Sequence, residues 1–324
     1  MNRVVVTISC LIALFCTIET STHAKEVPGK GPVKVFIMAG QSNMEGHGKS
    51  IHIKMAAEDE KTRAEFSPLL NGEDYAVRKD VWITWGSKRQ GELSIGWGAE
   101  YGRDGKGKVG TELGFGWQMG ELLDEQVLLI KWAAGGHSLK KNFLPPSAGG
   151  PLESYTLMVD EVHRVLDNLK TIYPDYDEKL GYEIVGLVWF QAWNDLCDGS
   201  QWKEKPHYKS YNERQAALLR DLRKEFKAPE MLMVIGELGA GSPTHQKHVA
   251  FRETQRAMTL TDEFENTTRS VPTLPFWDID PRFRSNQDFH YRGNGKTYYF
   301  IGKAMALAMS ELLQTQASWT PSER

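Results

Sequence analysis

The run Val33-Lys34-Val35-Phe36-Ile37-Met38-Ala39-Gly40-Gln41-Ser42-Asn43-Met44 changes character at Gly40. Up to Ala39 it is almost wholly apolar, as in a parallel strand covered on both faces. Beyond Gly40 small polar residues turn the chain sharply toward a helix. A serine in such a turn exposes its hydroxyl at the carboxyl edge of the sheet and points its own N–H into the same space, where open parallel sheets bind ligands. The second Gly of the usual nucleophile elbow is missing, so Ser42 also reads as a helix-capping serine.

Working outward, apolar runs of the same kind recur at Val127–Trp132, Ile184–Phe190 and Met231–Ile235, with weaker ones at Val81–Trp85 and Pro275–Ile279. Between and after them the 3.6-residue period predicts helices at Leu113–Gln126, Ser154–Tyr173, Tyr208–Phe226, Gln246–Thr261 and Lys296–Gln314. Alternating strands and helices imply right-handed crossovers, hence a three-layer α/β/α sandwich on a mainly parallel five-stranded sheet. Residues 45–110, rich in Gly, Lys and Glu and carrying Trp82, Trp85 and Trp97, read as an irregular excursion over one face. A single domain over residues 25–324 is expected.

The 324 residues carry 39 Lys+Arg against 42 Asp+Glu, a net charge of −3, so no basic field is available to hold a nucleic acid. Arg3, the apolar run Val4–Cys16 and the small residues ending at Ala24 have the form of a cleaved secretory signal, too short for a membrane span. Export to a periplasm or the medium is the expectation. Cys10 and Cys16 would leave with that leader, and Cys197 alone forms no internal disulfide. Two motifs are read as decoys. Gly105-Lys106-Gly107-Lys108-Val109-Gly110 has the dinucleotide spacing but follows no strand, and His245 and His248 lack a zinc-binding context. No metal and no cofactor are expected.

Two further strand ends carry polar groups suited to an oxyanion. Ala134-Gly135-Gly136-His137 offers backbone N–H groups from a glycine pair, and Gln191-Ala192-Trp193-Asn194-Asp195 offers a side-chain amide. Of the histidines, His290 in Gln287-Asp288-Phe289-His290 precedes the last helix with Asp288 two residues upstream. An imidazole can take a serine proton, and a nearby carboxylate can fix its tautomer.

In order, Gly40-Gln41-Ser42-Asn43-Met44, Thr111-Glu112-Leu113-Gly114-Phe115-Gly116, Ala134-Gly135-Gly136-His137-Ser138, Phe190-Gln191-Ala192-Trp193-Asn194-Asp195 and Asp288-Phe289-His290 resemble the blocks of the SGNH hydrolase superfamily. They are most similar to its sialate O-acetylesterase and acetylxylan-esterase branch. The resemblance implies a flavodoxin-like fold and a serine esterase that removes O-acetyl groups from carbohydrate. It implies Ser42 as nucleophile and His290 as base, with an oxyanion hole from the Ser42 and Gly136 N–H groups and the Asn194 side chain. Gly135 is the alternative to Gly136, and Gln41, Glu112 and Asp195 are supporting candidates. Two departures stand out. Ala192 replaces a family Gly, and the acid position three before His290 holds Gln287, so that Asp288 either serves as the triad acid, alone or shared with another carboxylate such as Glu112 or Asp278, or does not play that role at all. The rival readings are a non-catalytic carbohydrate-binding protein on the same fold and a lipase or thioesterase of the superfamily.

Overall fold

The computed structural model describes residues 31–87, 89–99, 107–283 and 287–316; the leader read at residues 1–24 lies outside them. Its centre is a seven-stranded sheet: β1 (Val33–Gly40), β2 (Arg78–Trp85), β3 (Gln90–Leu93), β4 (Val127–Ala133), β5 (Tyr182–Phe190), β6 (Leu232–Gly236) and β7 (Thr268–Val271). The spatial order is β7-β6-β5-β1-β4-β2-β3, and every pairing is parallel except β2 with β3.

Alternation along β1 explains the layers. Val35, Ile37 and Ala39 enter one core with Tyr155, Met158, Leu218, Leu222 and Phe251, contributed by α3 (Glu153–Leu166), α4 (Lys209–Glu225) and α5 (Gln246–Ala257). Phe36 and Met38 enter the other with Leu113, Phe115, Tyr298 and Met305, from α2 (Thr111–Leu122) and α6 (Gly295–Thr315). Both faces of β1 are buried, as its unbroken apolar run requires. The mixed α/β sandwich is therefore the expected one.

Strand number and edges differ from expectation. Seven strands form rather than five. Pro275–Ile279 is not a strand: Leu274–Phe276 is a 3-10 turn, and the edge position is taken by the less apolar Thr268–Val271. An edge strand packs against fewer neighbours, so its sequence is less hydrophobic. The weaker run Val81–Trp85 forms the inner strand β2, and the rest of the 45–110 segment is more ordered than expected, supplying its antiparallel partner β3 and a helix at Ile51–Glu58. The predicted helix Ser154–Tyr173 splits after Leu166 into a separate turn of helix at Leu169–Ile172. Of the glycine-rich decoy, Gly107–Gly110 is described. Lys108–Val109 pairs with Gly48–Lys49, and the decoy's first residues lie outside the described ones.

Helices α2 and α6 meet through glycine. A Cβ on Gly114 would sit 1.9 Å from the Tyr299 carbonyl oxygen, and one on Gly302 would sit 2.0 Å from that of Thr111. Backbone cannot yield as a flexible side chain can, so the two helices must separate to admit a methyl group. Gly302→Ala is expected to destabilise the fold by about 2 kcal/mol or more, measured as a fall in the urea midpoint. A midpoint equal to wild type would contradict this close packing.

Candidate active site

Three strand ends reach the same level. Gly40 lies beside Ala133 of β4 on one side and Phe190 of β5 on the other. At φ +156° a Cβ on Gly40 would fall 2.2 Å from the Phe190 carbonyl oxygen, so only glycine lets the chain turn here. The turn delivers Ser42 as first residue of α1 (Ser42–Glu45), where its N–H has no acceptor within the helix.

Gln41, almost fully buried, ties the turn to the end of β5. Its side-chain oxygen accepts from Ala192 N (3.1 Å), Asn194 N (3.4 Å) and the Gln191 amide (3.1 Å), and its Nε2 donates to Asn194 Oδ1 (3.0 Å). Asn194 Nδ2 in turn donates to Gly136 O at 2.6 Å. Gly135 N donates to Glu45 Oε1 at 2.9 Å, so Gly135 is committed, and Gly136 is the glycine of the pair that lines the pocket with its N–H unpaired among the described residues. Gly136 adopts φ +78°, which glycine tolerates.

The histidine arrives from the other side. Asn43 Nδ2 donates to the Phe289 carbonyl (3.1 Å) while Tyr298 donates to Asn43 Oδ1 (2.7 Å), fastening the loop before α6 to the residue after Ser42. Ser42, His290, Gly136 and Asn194 then line one pocket of about 280 Å³, with Gln41, Glu45, His47, Gly135, Trp193 and Phe289.

The structure does not bring Asp288 to His290. Asp288 is largely exposed and accepts from Arg292 Nε at 2.7 Å, whereas His290 Nδ1 lies 2.8 Å from Gln287 Oε1. Two residues upstream on this turn, Asp288 faces away from the imidazole, and the residue three upstream faces it. An amide oxygen accepts but cannot donate, so it fixes the Nδ1–H tautomer and leaves the Nε2 lone pair for a proton. The alternatives are occupied elsewhere: Asp278 pairs with Lys296 (2.6 Å), and Glu112 accepts from Lys131 (2.8 Å) and Gly110 N (2.7 Å).

Glu112 and Asp195 support the pocket from beneath. Lys131 Nζ, fully buried, spends its hydrogens on Glu112, the Glu45 carbonyl (2.9 Å) and the Trp97 carbonyl (2.7 Å), pinning the end of α1. Burial lowers the Lys131 pKa against the pull of Glu112. Asp195, with no exposed surface, accepts from Leu139 N, Lys140 N, Gln191 and Gln201, which holds the loop that follows Gly136. Burial still raises its pKa.

The sequence reading missed Glu45 and His47 as pocket groups, and it noted Gln287 only as a departure from the family acid. His47 stacks on His290 with ring centroids 3.9 Å apart and planes 5° from parallel. Glu45 stands 3.6 Å from His47, and although burial alone would raise its pKa, His47 and the Gly135 N–H hold it below the usual carboxylate range. Both residues fall within a few positions of Ser42, which was the available signal. Among the tryptophans, Trp193 lines the pocket. Trp202 stacks on His207, and Trp82 packs on Tyr173. His245 caps α5 by accepting from Lys247 N, and His248 Nδ1 accepts from Ser242 N.

A family model for carbohydrate esterases, described as sialic acid-specific acetylesterase, matches residues 32–273. The chain belongs to that family. The matched segment holds Ser42, Gly136 and Asn194 and ends before His290. A search of curated proteins finds no match. Among solved structures, a protein of Arabidopsis thaliana is similar over 86% of this chain and 98% of its own, at TM-score 0.57 and 19% identity. A carbohydrate acetylesterase from Xanthomonas citri, XAC1771, is similar over 87% of this chain and 57% of its own (TM-score 0.53, 13% identity). NanS is similar over 89% and 99% respectively (TM-score 0.51, 13% identity). At these identities the likenesses establish the fold.

Burial first, then the charges of His47 and Lys108, press the His290 pKa from its ordinary 6.5 down to about 4, against the opposing pull of Glu45. The ring is thus neutral at pH 7. Because the native value is depressed, this group stabilises the fold fully above pH 6.5 and progressively less as pH falls toward 4, where the unfolded chain binds the extra proton. An NMR titration of the His290 ring should show a midpoint near 4, and Gln287→Glu should raise it by about one unit or more by placing a carboxylate at Nδ1. A wild-type midpoint near 6.5, or no upward shift in the variant, would contradict this environment.

Proposed function

We propose that the chain is a serine esterase removing O-acetyl groups from carbohydrate through an acyl-enzyme on Ser42. The observation that carries this reading is the meeting, in one pocket, of a serine at a strand-to-helix turn, an imidazole with a fixed tautomer, and converging N–H donors. Family membership supplies the carbohydrate ester.

In this mechanism His290 Nε2 takes the Ser42 hydroxyl proton as Oγ bonds to the acetyl carbon. The carbonyl oxygen gains the electron pair and meets the Ser42 N–H, the Gly136 N–H and the second amide hydrogen of Asn194. The tetrahedral intermediate then expels the sugar oxygen, which takes the proton back from His290. A water, deprotonated by the same nitrogen, attacks the acyl carbon and releases acetate with Ser42 restored. Gln287 orients the ring throughout, and the nearby Glu45 charge favours the transient imidazolium. Base and nucleophile thus work with a neutral amide in place of a triad acid. The proposal extends to export, to a periplasm or the medium, and the leader-like pattern of residues 1–24 supports it.

Acetate release from an aryl acetate and an acetylated oligosaccharide tests the reading. Ser42→Ala should fall to background, and Asn194→Ala should lose about a hundred- to a thousandfold in kcat. Asp288→Asn should stay close to wild type, since its carboxylate serves Arg292. Equal background rates for wild type and Ser42→Ala would overturn the esterase reading, and a collapse in Asp288→Asn would restore Asp288 to a triad.

A further inference from the structure

We infer that a second cavity, walled by Trp277 and Arg292, is a subsite for a further sugar unit of the carbohydrate chain that bears the ester. The inference rests on the esterase reading and extends its substrate from one ring to a chain.

The carboxyl edge of the sheet continues past the active pocket. Ser42, Gly136 and Asn194 follow β1, β4 and β5, and β6 and β7 come next in the same parallel order. Their C-terminal loops wall a cavity of about 510 Å³, to which the loop after β6 brings Gly241 and Ser242, the loop after β7 brings Leu274 and Trp277, and the histidine turn brings Asp288 and Arg292. Open parallel sheets take their ligands along this edge. Two observations make the cavities neighbours. Asp288 lines one while the adjoining Phe289 and His290 line the other. Gly241 lines the second cavity, and a Cβ on it would sit 3.4 Å from Cζ3 of Trp193, which lines the first. Between them runs an aromatic ridge, Trp193 and Phe289, with ring centroids 6.1 Å apart and Phe289 42% exposed.

The walls are fixed to one another. Tyr291 OH accepts from Gly239 N (3.2 Å) and donates to Thr273 Oγ1 (2.5 Å), which donates to the Glu237 carbonyl (2.7 Å). These buried bonds join the histidine turn to the loops after β6 and β7, so the cavity keeps its shape before a ligand arrives. Its chemistry suits a sugar. Arg292 lies 5.6 Å from the centroid of the Trp277 ring, and Asp288 holds its Nε at 2.7 Å, which sets the Nη hydrogens beside an aromatic surface. The apolar face of a pyranose packs on an indole, while its adjacent hydroxyls match the planar fork of a guanidinium. The active pocket, at about 280 Å³, falls just short of the roughly 300–1,000 Å³ usual for a small-molecule site. It suits one acetylated ring, and the cavity beyond the ridge has room for the next.

The test pairs esters that differ in chain length: O-acetylated sialic acid with O-acetylated sialyllactose, and an acetylated methyl xyloside with xylotriose acetylated at the same position. An aryl acetate, which reaches only the active pocket, is run beside them. In whichever pair is hydrolysed, wild type should favour the longer member by about tenfold or more in kcat/KM. Trp277→Ala and Arg292→Gln should each shrink that preference by about threefold or more, with the loss in KM, and should move the ratio of the single-sugar ester to the aryl acetate by less than about twofold. Arg292→Gln keeps much of the side-chain stem and decides the matter if Trp277→Ala does not fold. Equal rates for short and long members of both pairs, or a preference that the folded variants leave unchanged, overturn the inference and leave the esterase intact, as does turnover of the aryl acetate alone. Failure to release acetate from the sugars and from the aryl acetate overturns the esterase reading, and this inference with it.

Discussion

The buried amide of Gln41 is the joint on which the site depends. Its oxygen gathers the backbone N–H groups of Ala192 and Asn194 and the Gln191 amide, and its nitrogen holds Asn194. One uncharged side chain thereby locks the end of β1 to the end of β5 and, through Asn194, to Gly136. A neutral amide does this without the desolvation penalty of an ion, and each bond gains strength from the low dielectric around it. Without that joint, Ser42, Gly136 and Asn194 would sit at three strand ends that this amide no longer ties together.

Charge is placed one layer further down. Lys131 and Glu112 form a buried pair whose purpose is positional: the ammonium reaches the Glu45 and Trp97 carbonyls and so fixes the far end of the Ser42 helix and the chain crossing beneath it. Asp195 does the same for the loop after Gly136, accepting four N–H groups at once. Buried ions are costly, and the burial-driven shifts of Lys131 and Asp195 record that cost. What they supply is a rigid frame, in which His290, stacked on His47 and held through Gln287, stays neutral and ready to accept a proton.

Much of this was legible in the chain. Strands β1, β4, β5 and β6 announce themselves because parallel strands buried on both faces are nearly continuous in apolar residues, and Ser42, Gly136, Asn194 and His290 sit at turns that the apolar pattern delimits. The edges were harder to read. Thr268–Val271 and Gln90–Leu93 are short and half covered, so hydrophobic pattern says little about them. Partnerships across the fold were illegible for a different reason. Whether Asp288 or Gln287 meets the imidazole is decided within the irregular turn Asp288–Gly293, whose backbone is non-helical at His290 and left-handed at Tyr291 and Arg292, φ +48° and +55°. Glu112 likewise shows its partner only once α2 is packed against β4.

Under the proposed function, this edge of the sheet activates one hydroxyl, Ser42, against an acetyl carbonyl. A fluorophosphonate probe tests that claim at the atom concerned, since it reacts with an activated serine and remains attached. Peptide mapping by mass spectrometry after brief exposure should find the probe on Ser42, with labelling suppressed in His290→Ala. Labelling spread over surface serines, or an unmodified Ser42 in folded protein, would contradict the account.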